Sequence, residues 1–353
     1  MDFQLTRKKK PTAVAGLDIG AGSVAATELR VNGAVEVAGS AIAPLPADVF
    51  HEGEVVDREG LASALKSLFG EHKISKRVRL GIGNQQVVVR TVRLPAIEDP
   101  KEMEAAVRFQ AQEQIPMPLD QAVLEYQVAG GVPAEEGAAP QVDVVVVAAR
   151  REMIASFLEA ARRGGLEPVG IDLSAFAMIR ALAEAGEESP DAVLYCDVGD
   201  VTNLAVARGR SCLFTRVSSV GLEAISARLA AARGMTPEHA FQWLSYVGLE
   251  QPIETIEADP DTVAEARRAL EDGAASLFDE LRLSLDYYGA QEGALPVGRI
   301  VLSGAGSAIP GLAATMEERL GTPIQVARPS ALAGFDDAAA ARLTLSYGLA
   351  LEG

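Results

Sequence analysis

Apolar residues recur along this chain with two periods. VAGLDIG, SVAATELRV, AVEVAGSAI and RVRLGIG are short runs rich in apolar and β-branched residues and predict strands, whereas REGLASALKSLFGEH repeats Leu61, Leu65 and Leu68 at helical spacing. Asn32-Gly33 between the second and third runs predicts a hairpin. Strands followed by a helix and a returning strand predict a mixed α/β sheet over 12–85. QVVVRTVRL then reads as a strand, and Asp99, Pro100 and Glu102 supply a cap, a first-turn proline and a capping-box-like acid for the helix KEMEAAVRFQAQEQI. Its stripe of Met103, Ala106, Val107, Ala111 and Ile115 should face a sheet, with Pro116 and Pro118 stopping it. A strand at 125–129, a Gly/Pro/Glu loop GGVPAEEGAAP, the strand VDVVVVAA and the helix REMIASFLEAARRGG complete a unit over 86–165, which reads as an insert. GLEPVGIDLSAFAMIRALAEAG would return the chain to the first domain.

The opening pattern starts again at Ala192. AVLYCDVGDVTNLAVARGRSCLFTRV, like the first segment, is an apolar strand ending Asp-x-Gly, a short turn, a second strand, a turn and a third strand. GLDIG and YCDVG are the same local instruction given twice, so the chain reads as an internal duplication. A mostly helical stretch follows, including one long helix whose stripe is Val263, Leu270, Ala274, Leu277, Leu281 and Leu285. RIVLSGAGSAIPGLAATMEERLG then predicts strand, glycine turn and helix, with Pro310 in the first helical turn.

Composition narrows the function. At 353 residues and 48% hydrophobic content the chain can build two cored domains. A net charge of −17 argues against binding along a phosphate backbone. Two cysteines, Cys196 and Cys212, placed on what read as neighbouring core strands, give neither metal spacing nor a disulfide framework and suit a reducing cytoplasm. No run is apolar and long enough for a signal peptide or a membrane span, which predicts a soluble chain whose membrane contact is peripheral. The basic leader over 1–11, with Arg7, Lys8, Lys9 and Lys10, could add at best about 1 kcal/mol per residue on anionic lipid.

Gly20-Ala-Gly22-x-x-Ala25 matches a dinucleotide fingerprint, but that motif needs a helix opening on the glycines, and here a strand follows. A hairpin bearing Asp-x-Gly instead wraps backbone N–H groups around phosphate oxygens, while its aspartate reaches a divalent cation through water. Two such hairpins would clamp phosphates from both sides. Asp18 and Asp197 are then outer-shell Mg2+ carboxylates, Gly20, Ala21, Gly22 and Ser23 one cradle, and Gly199, Thr202 and Asn203 belong to the other. The turn Ser303-Gly304-Ala305-Gly306 would let a nucleotide approach the backbone closely. His51, His72 and His239 are too scattered for a metal site or a catalytic triad.

The order GLDIGAGS, YCDVGDVTN, VLSGAGS resembles the phosphate 1, phosphate 2 and adenosine motifs of the actin, Hsp70 and sugar-kinase superfamily. With LPAIEDPKEMEAAVRFQAQEQIPMPLDQAVLEYQV, GLEPVGIDLSAFAMIRAL and RLTLSYGLAL, the chain more closely resembles the PilM family, actin-like inner-membrane accessory proteins of type IV pilus assembly that are similar to FtsA. The resemblance implies an α/β, two-domain actin-like ATPase fold with an FtsA-like subdomain 1C inserted in the first domain. Its divisions would be 12–85 and 166–190 for 1A, 86–165 for 1C, 191–222 and 297–353 for 2A, and 223–296 for 2B. It implies ATP with Mg2+ in the central cleft, touching the residues named above together with Gly221, Gly304, Ala305 and Gly306. It also implies an adaptor that binds the amino-terminal cytoplasmic peptide of PilN in a groove involving 1A and 1C, at the cytoplasmic face of the inner membrane. Arg90, Arg93, Met103, Val107, Arg108 and Ile115 are the groove candidates.

Departures from the family pattern matter for chemistry. Ala25 stands where a lysine is common, and MTPEHAFQWLS offers Phe241 and Trp243 where an acid and a lysine near the purine are usual. No residue declares itself a catalytic base, and Gln85, Gln86, Gln110 and Gln112 are explained equally well as surface residues. The expectation is nucleotide binding with slow or absent hydrolysis. The alternatives are an ATPase or small-molecule kinase of the same fold, and an actin-like filament subunit.

Overall fold

The computed structural model describes residues 13–46, 48–132, 140–184, 190–291 and 293–351. The basic leader and most of the GGVPAEEGAAP loop lie outside them.

The first sheet is built from β1 (Ala15–Ile19), β2 (Ser23–Asn32) and β3 (Ala34–Pro44), an antiparallel meander whose second turn is the expected Asn32-Gly33, with Gly33 at φ 84°. A small hairpin, β4 (Phe50–His51) and β5 (Glu54–Val55), leads into α1 (Arg58–Glu71), whose N-cap Asp57 accepts the Glu59 N–H. Then β6 (Arg77–Ile82) returns parallel to β1.

The insert follows as β7 (Val88–Pro95), α2 (Pro100–Gln114), β8 (Ala122–Val132) and β9 (Gln141–Arg150), a sheet in the order β7-β9-β8. Asp99 caps α2 by accepting the Lys101 and Glu102 N–H groups. Next come α3 (Arg151–Arg163), β10 (Glu167–Leu173), which completes the first sheet in the order β10-β6-β1-β2-β3, and α4 (Ser174–Leu182). The insert's own core is Val92, Leu94, Met103, Val107, Ala111, Ile115, Val144, Val146 and Ala148.

The second sheet repeats the topology. β11 (Ala192–Val198), β12 (Thr202–Arg208) and β13 (Ser211–Ser218) form its meander, followed by α5 (Leu222–Arg233), α6 (Pro237–Val247) and α7 (Pro260–Gly289). β14 (Val297–Ser303) returns parallel to β11, and α8 (Leu312–Leu320), β15 (Ile324–Val326) and α9 (Asp337–Ala350) close the chain, with strand order β13-β12-β11-β14-β15. Both sheets are thus a three-stranded meander whose first strand also pairs in parallel with the strand that returns after the helices.

Two helices differ in packing from the sequence-based assignment. α3 was expected in the insert, but Met153, Phe157, Ala160 and Ala161 are buried among Leu61, Leu65 and Leu80 of the first domain. α9, expected in the second domain, lies between the two sheets: Leu345 packs with Val193, Tyr195 and Val301 of the second, while a Cβ on Gly16 of β1 would sit 2.0 Å from the Ser346 carbonyl oxygen and the Thr27 and Ser346 hydroxyls meet at 2.6 Å. α4, whose Met178 and Ile179 bury against Tyr195 and Ala205, touches α9 on the other side. An amphipathic stripe fixes which face of a helix is buried, not which sheet buries it. Cys196 and Cys212 stand on β11 and β13, separated by β12 and both free. Pro310 precedes the N-cap Gly311 of α8 rather than lying in its first turn, because a short 3-10 turn over Ala305–Ala308 fills the interval.

Candidate functional site

The parallel strands β1, β6, β11 and β14 point their carboxyl ends at one cleft, the place where open α/β sheets bind ligands. β1 is buried throughout and delivers Asp18 there; β11 delivers Asp197. Both carboxylates are largely shielded from solvent, at 7% and 3% exposure.

Their partners differ. Arg342, reaching from α9, pairs with Asp18 Oδ2, donates to the Asp18 carbonyl at 3.2 Å, and grips Ser23 through its Oγ at 2.6 Å and its carbonyl at 2.7 Å. Among the described residues Asp197 accepts a single neutral side-chain hydrogen bond, from Ser303 Oγ at 2.9 Å. Burial, with Asp18 adding repulsion, pushes the Asp197 carboxyl up to about 7, against the Ser303 bond and the Arg342 charge. Asn203, opposite Asp197 in the ladder and so on the same face of the sheet, has a buried Oδ1 that finds no partner among the described residues.

The turns that follow the two strands meet. Asp200, one residue past Gly199, accepts the Ala21 N–H at 2.7 Å, and a Cβ on Gly20 would lie 2.3 Å from Asp200 Oδ2. Burial raises the Asp200 carboxyl from its ordinary value, opposed by Arg342 and the Ala21 and Gly22 amides. The backbone of this turn is fixed from behind: Leu222 N–H at the start of α5 donates to the Gly199 carbonyl at 2.8 Å, Thr202 Oγ1 donates to the Val220 carbonyl at 2.7 Å, and a Cβ on Gly221 would fall 2.2 Å from the Asp200 carbonyl oxygen. Three carboxylates, Asp18, Asp197 and Asp200, therefore share one guanidinium. That surplus of negative charge, beside backbone amides, suits phosphates arriving with a divalent cation. Among the described residues no group of three or more His, Cys, Asp or Glu side chains is set to hold a metal directly. The donor set fits Mg2+ that keeps its waters and its phosphate ligands, not an all-protein cage.

Asp18, the turn Gly20–Ser23, Asp197, Gly199, Asp200 and Ser303 are brought together. Gly304 and Gly306 join them for a reason other than the one their lack of side chains suggests: a Cβ on Gly304 would lie 2.7 Å from the Val198 carbonyl oxygen and 2.9 Å from Asp197 Oδ2, and one on Gly306 2.5 Å from Val198 Cγ1. Their freedom is used to pack this turn onto the end of β11. Trp243 and Phe241 pack against the second domain's core. Gln86 is committed to Glu54 and to Arg150.

The insert candidates separate by burial. Met103, Val107 and Ile115 are core residues of the insert at 5%, 0% and 6% exposure, so they support its shape rather than its surface. Arg90, Arg93 and Arg108 are exposed; Arg93 pairs with Asp143 and Arg108 with Glu104. Where α1 and the β4–β5 hairpin meet the start of α3, a groove of about 220 Å³ is lined by Glu54, Val55, Arg58, Arg150, Glu152, Met153 and Ser156. Arg342 and this groove carry no mark in the sequence, and Asp200 falls inside the second cradle, 199–203, without a role of its own. Asp200 could have been found as the acid immediately after the repeated Asp-x-Gly.

A family model described as type IV pilus assembly protein PilM matches residues 16–352. Among solved structures, the chain is similar to that titled PilM-PilN type IV pilus biogenesis complex, with 29% identity and a TM-score of 0.80 over 96% of this chain and 98% of that one. It also resembles the ethanolamine utilization protein EutJ from Carboxydothermus hydrogenoformans (17% identity, TM-score 0.52, 98% and 91% covered). MreB5 of Spiroplasma citri, solved bound to ADP, matches at 14% identity and a TM-score of 0.51 over 95% and 94%. The last two show the fold alone, which is that of the actin-like ATPases.

Proposed function

The chain belongs to the family of the type IV pilus assembly protein PilM, and from that membership we propose that it is an ATP-binding adaptor that holds the amino-terminal cytoplasmic peptide of PilN. The observation that carries the PilN assignment is the similarity, along 96% of the chain, to a PilM solved in complex with PilN. The peptide lies in the groove on the first domain where it borders the insert, with Arg58, Glu152 and Met153 supplied by the domain and Arg150 by the end of β9. Membrane association comes through the partner, and among the described residues no helix is long and apolar enough to cross a membrane. Domain 1A takes in α3 and the packing face of α9, 1C reduces to β7, α2, β8 and β9, and the second domain divides into its sheet and the α5–α7 layer.

ATP with Mg2+ occupies the cleft between Asp18 and Asp197, and hydrolysis is slow or absent. The phosphates would be held by turn amides, and the cation by Asp18 and Asp197 through water. Arg342 takes the place of the missing lysine as the fixed positive charge beside the first turn. Titration of a PilN amino-terminal peptide into the full chain, alone and with MgATP, tests the assignment. Arg58→Glu and Arg150→Glu should each weaken the peptide by about tenfold or more, the loss expected for a charge-assisted hydrogen bond, while Arg90→Glu and Arg108→Glu leave it unchanged. Undiminished binding in both groove variants would overturn the groove. Phosphate release at roughly 1 per second or faster would overturn slow hydrolysis.

A further inference from the structure

The two phosphate turns touch through a side chain that a phosphate-binding device does not need. Asp200 Oδ2 accepts the Ala21 N–H at 2.7 Å, one of the amides the cradle Gly20–Ser23 would offer to a phosphate oxygen. Two glycines build this contact. Gly20 has no Cβ where one would fall 2.3 Å from Asp200 Oδ2, and Gly221 none where one would meet the Asp200 carbonyl oxygen at 2.2 Å. The bond from Leu222 N–H to the Gly199 carbonyl at 2.8 Å holds the turn so that the carboxylate faces the first domain. The first turn has no counterpart: the residue one past Gly20 is Ala21.

We propose that Asp200 is a built-in anion occupying the phosphate 1 cradle, so that a terminal nucleotide phosphate binds only by displacing it, and that this residue sets the cleft's preference between nucleoside triphosphate and diphosphate. A carboxylate oxygen and a phosphate oxygen make the same demand on an amide, an acceptor bearing negative charge, and two anions cannot share one donor at hydrogen-bonding distance without strong repulsion. The site therefore discriminates by how many phosphates reach the first turn. A diphosphate that stops short of Ala21 leaves Asp200 in place; a triphosphate must move it. The second domain carries the blocking group and the first domain the blocked amide, so the same displacement changes how the two domains meet.

The proposal rests on the cleft being a nucleotide site, and one experiment separates the two. Calorimetry with MgATP and MgADP is run on the full chain and on Asp200→Asn and Asp200→Gly. Asn keeps the shape and loses the charge; Gly clears the cradle; thermal melting checks that each folds, and Asn decides if Gly does not. The expected result is MgATP binding tighter by about tenfold or more in both variants, the worth of one hydrogen bond to a charged group, with MgADP changed by much less. MgATP affinity that is unchanged or weaker in the variants, while the parent chain binds it, overturns the proposal and leaves the nucleotide cleft standing. Binding in the variants but not in the parent supports both. No binding by any of the three overturns both.

Discussion

The two Asp-x-Gly hairpins share a strand order and differ in how they settle their charge. Asp18 in the first has a guanidinium from α9 against it, and its turn is pinned through Ser23 to that same arginine. Asp197 in the second has a serine hydroxyl, and its turn adds a further carboxylate, Asp200, in place of Ala21. A duplicated fold has thus kept its topology and divided its electrostatics. One turn is neutralised permanently by the protein; the other is left negative, to be balanced by what enters the cleft. Evolution of a turn costs little when the sheets beneath it are buried and fixed, which is why the difference sits in residues 20–23 and 199–203 rather than in the strands.

The largest expected effect comes from removing the arginine that makes the first turn different. Arg342→Met leaves Asp18 buried without its charge partner and should lower unfolding free energy by about 3 to 5 kcal/mol in denaturant titration. Adding Asp18→Asn to that background should recover most of the loss. A change below about 1 kcal/mol would mean that water screens the pair and that the two turns are electrostatically alike.

The second turn yields a pH effect of the opposite kind. Asp197 is pushed up to about 7 in the folded state from 3.8, so between those values the folded chain binds more protons than the unfolded one. Stability without nucleotide therefore falls as pH rises from about 4 to 7, by roughly 2 kcal/mol where opposing groups offset part of the limiting slope of about 1.4 kcal/mol per unit. Asp197→Asn should remove this slope and stabilise the empty protein at pH 7.5. A slope that survives the substitution assigns it elsewhere.

Smaller again is the steric difference between the turns. A Cβ on Gly20 meets Asp200 Oδ2 at 2.3 Å, whereas one on Gly199 meets nothing closer than 3.5 Å. Gly20→Ala should cost about 1 to 2 kcal/mol and Gly199→Ala within about 0.5 kcal/mol. In an Asp200→Gly background the Gly20→Ala cost should vanish, the coupling expected of residues in contact. Equal costs in both backgrounds would show that Gly20 is needed for its own backbone and not for Asp200.

These contrasts mark the limit of what the sequence discloses. The repeated Asp-x-Gly, its apolar strands and the third glycine turn were legible because they are local: each is a run of a few residues whose period and turn chemistry speak for themselves. Arg342 was not, since it lies 324 positions from Asp18 and nothing in RLTLSYGLAL marks its arginine as a partner. The hairpin itself has Ala25 where a cation is expected, and the fold supplies one from α9 instead. Helix α2 shows the converse. Met103, Val107 and Ile115 declared a buried stripe correctly, but burial was the insert's own core, and a stripe cannot say whether its cover is the same chain or a partner.

The smallest effect concerns the rim of the cleft, where α5, leaving the second hairpin, meets the first domain. His51 Nδ1, on the β4–β5 hairpin, lies 2.5 Å from Glu223 in the first turn of α5. The Glu223 hydrogen bond, then its charge, raises the imidazole from its ordinary 6.5. A group whose folded pKa is raised stabilises the contact fully below its unfolded value and ceases to do so as pH rises through the folded one. The rim should therefore be tied at pH 6 and released toward pH 8, opposite in purpose to the floor: a proton at His51 holds the two domains together, whereas a proton at Asp197 only relieves a buried charge. Because His51 is exposed, the tie is weak and salt should loosen it. NMR titration of the His51 ring should give a midpoint above 6.5 that Glu223→Gln returns to the ordinary value. A midpoint at 6.5 in the parent chain would mean that the rim pair does not form in solution, leaving contacts such as those at the cleft floor and through α4 and α9 to join the domains.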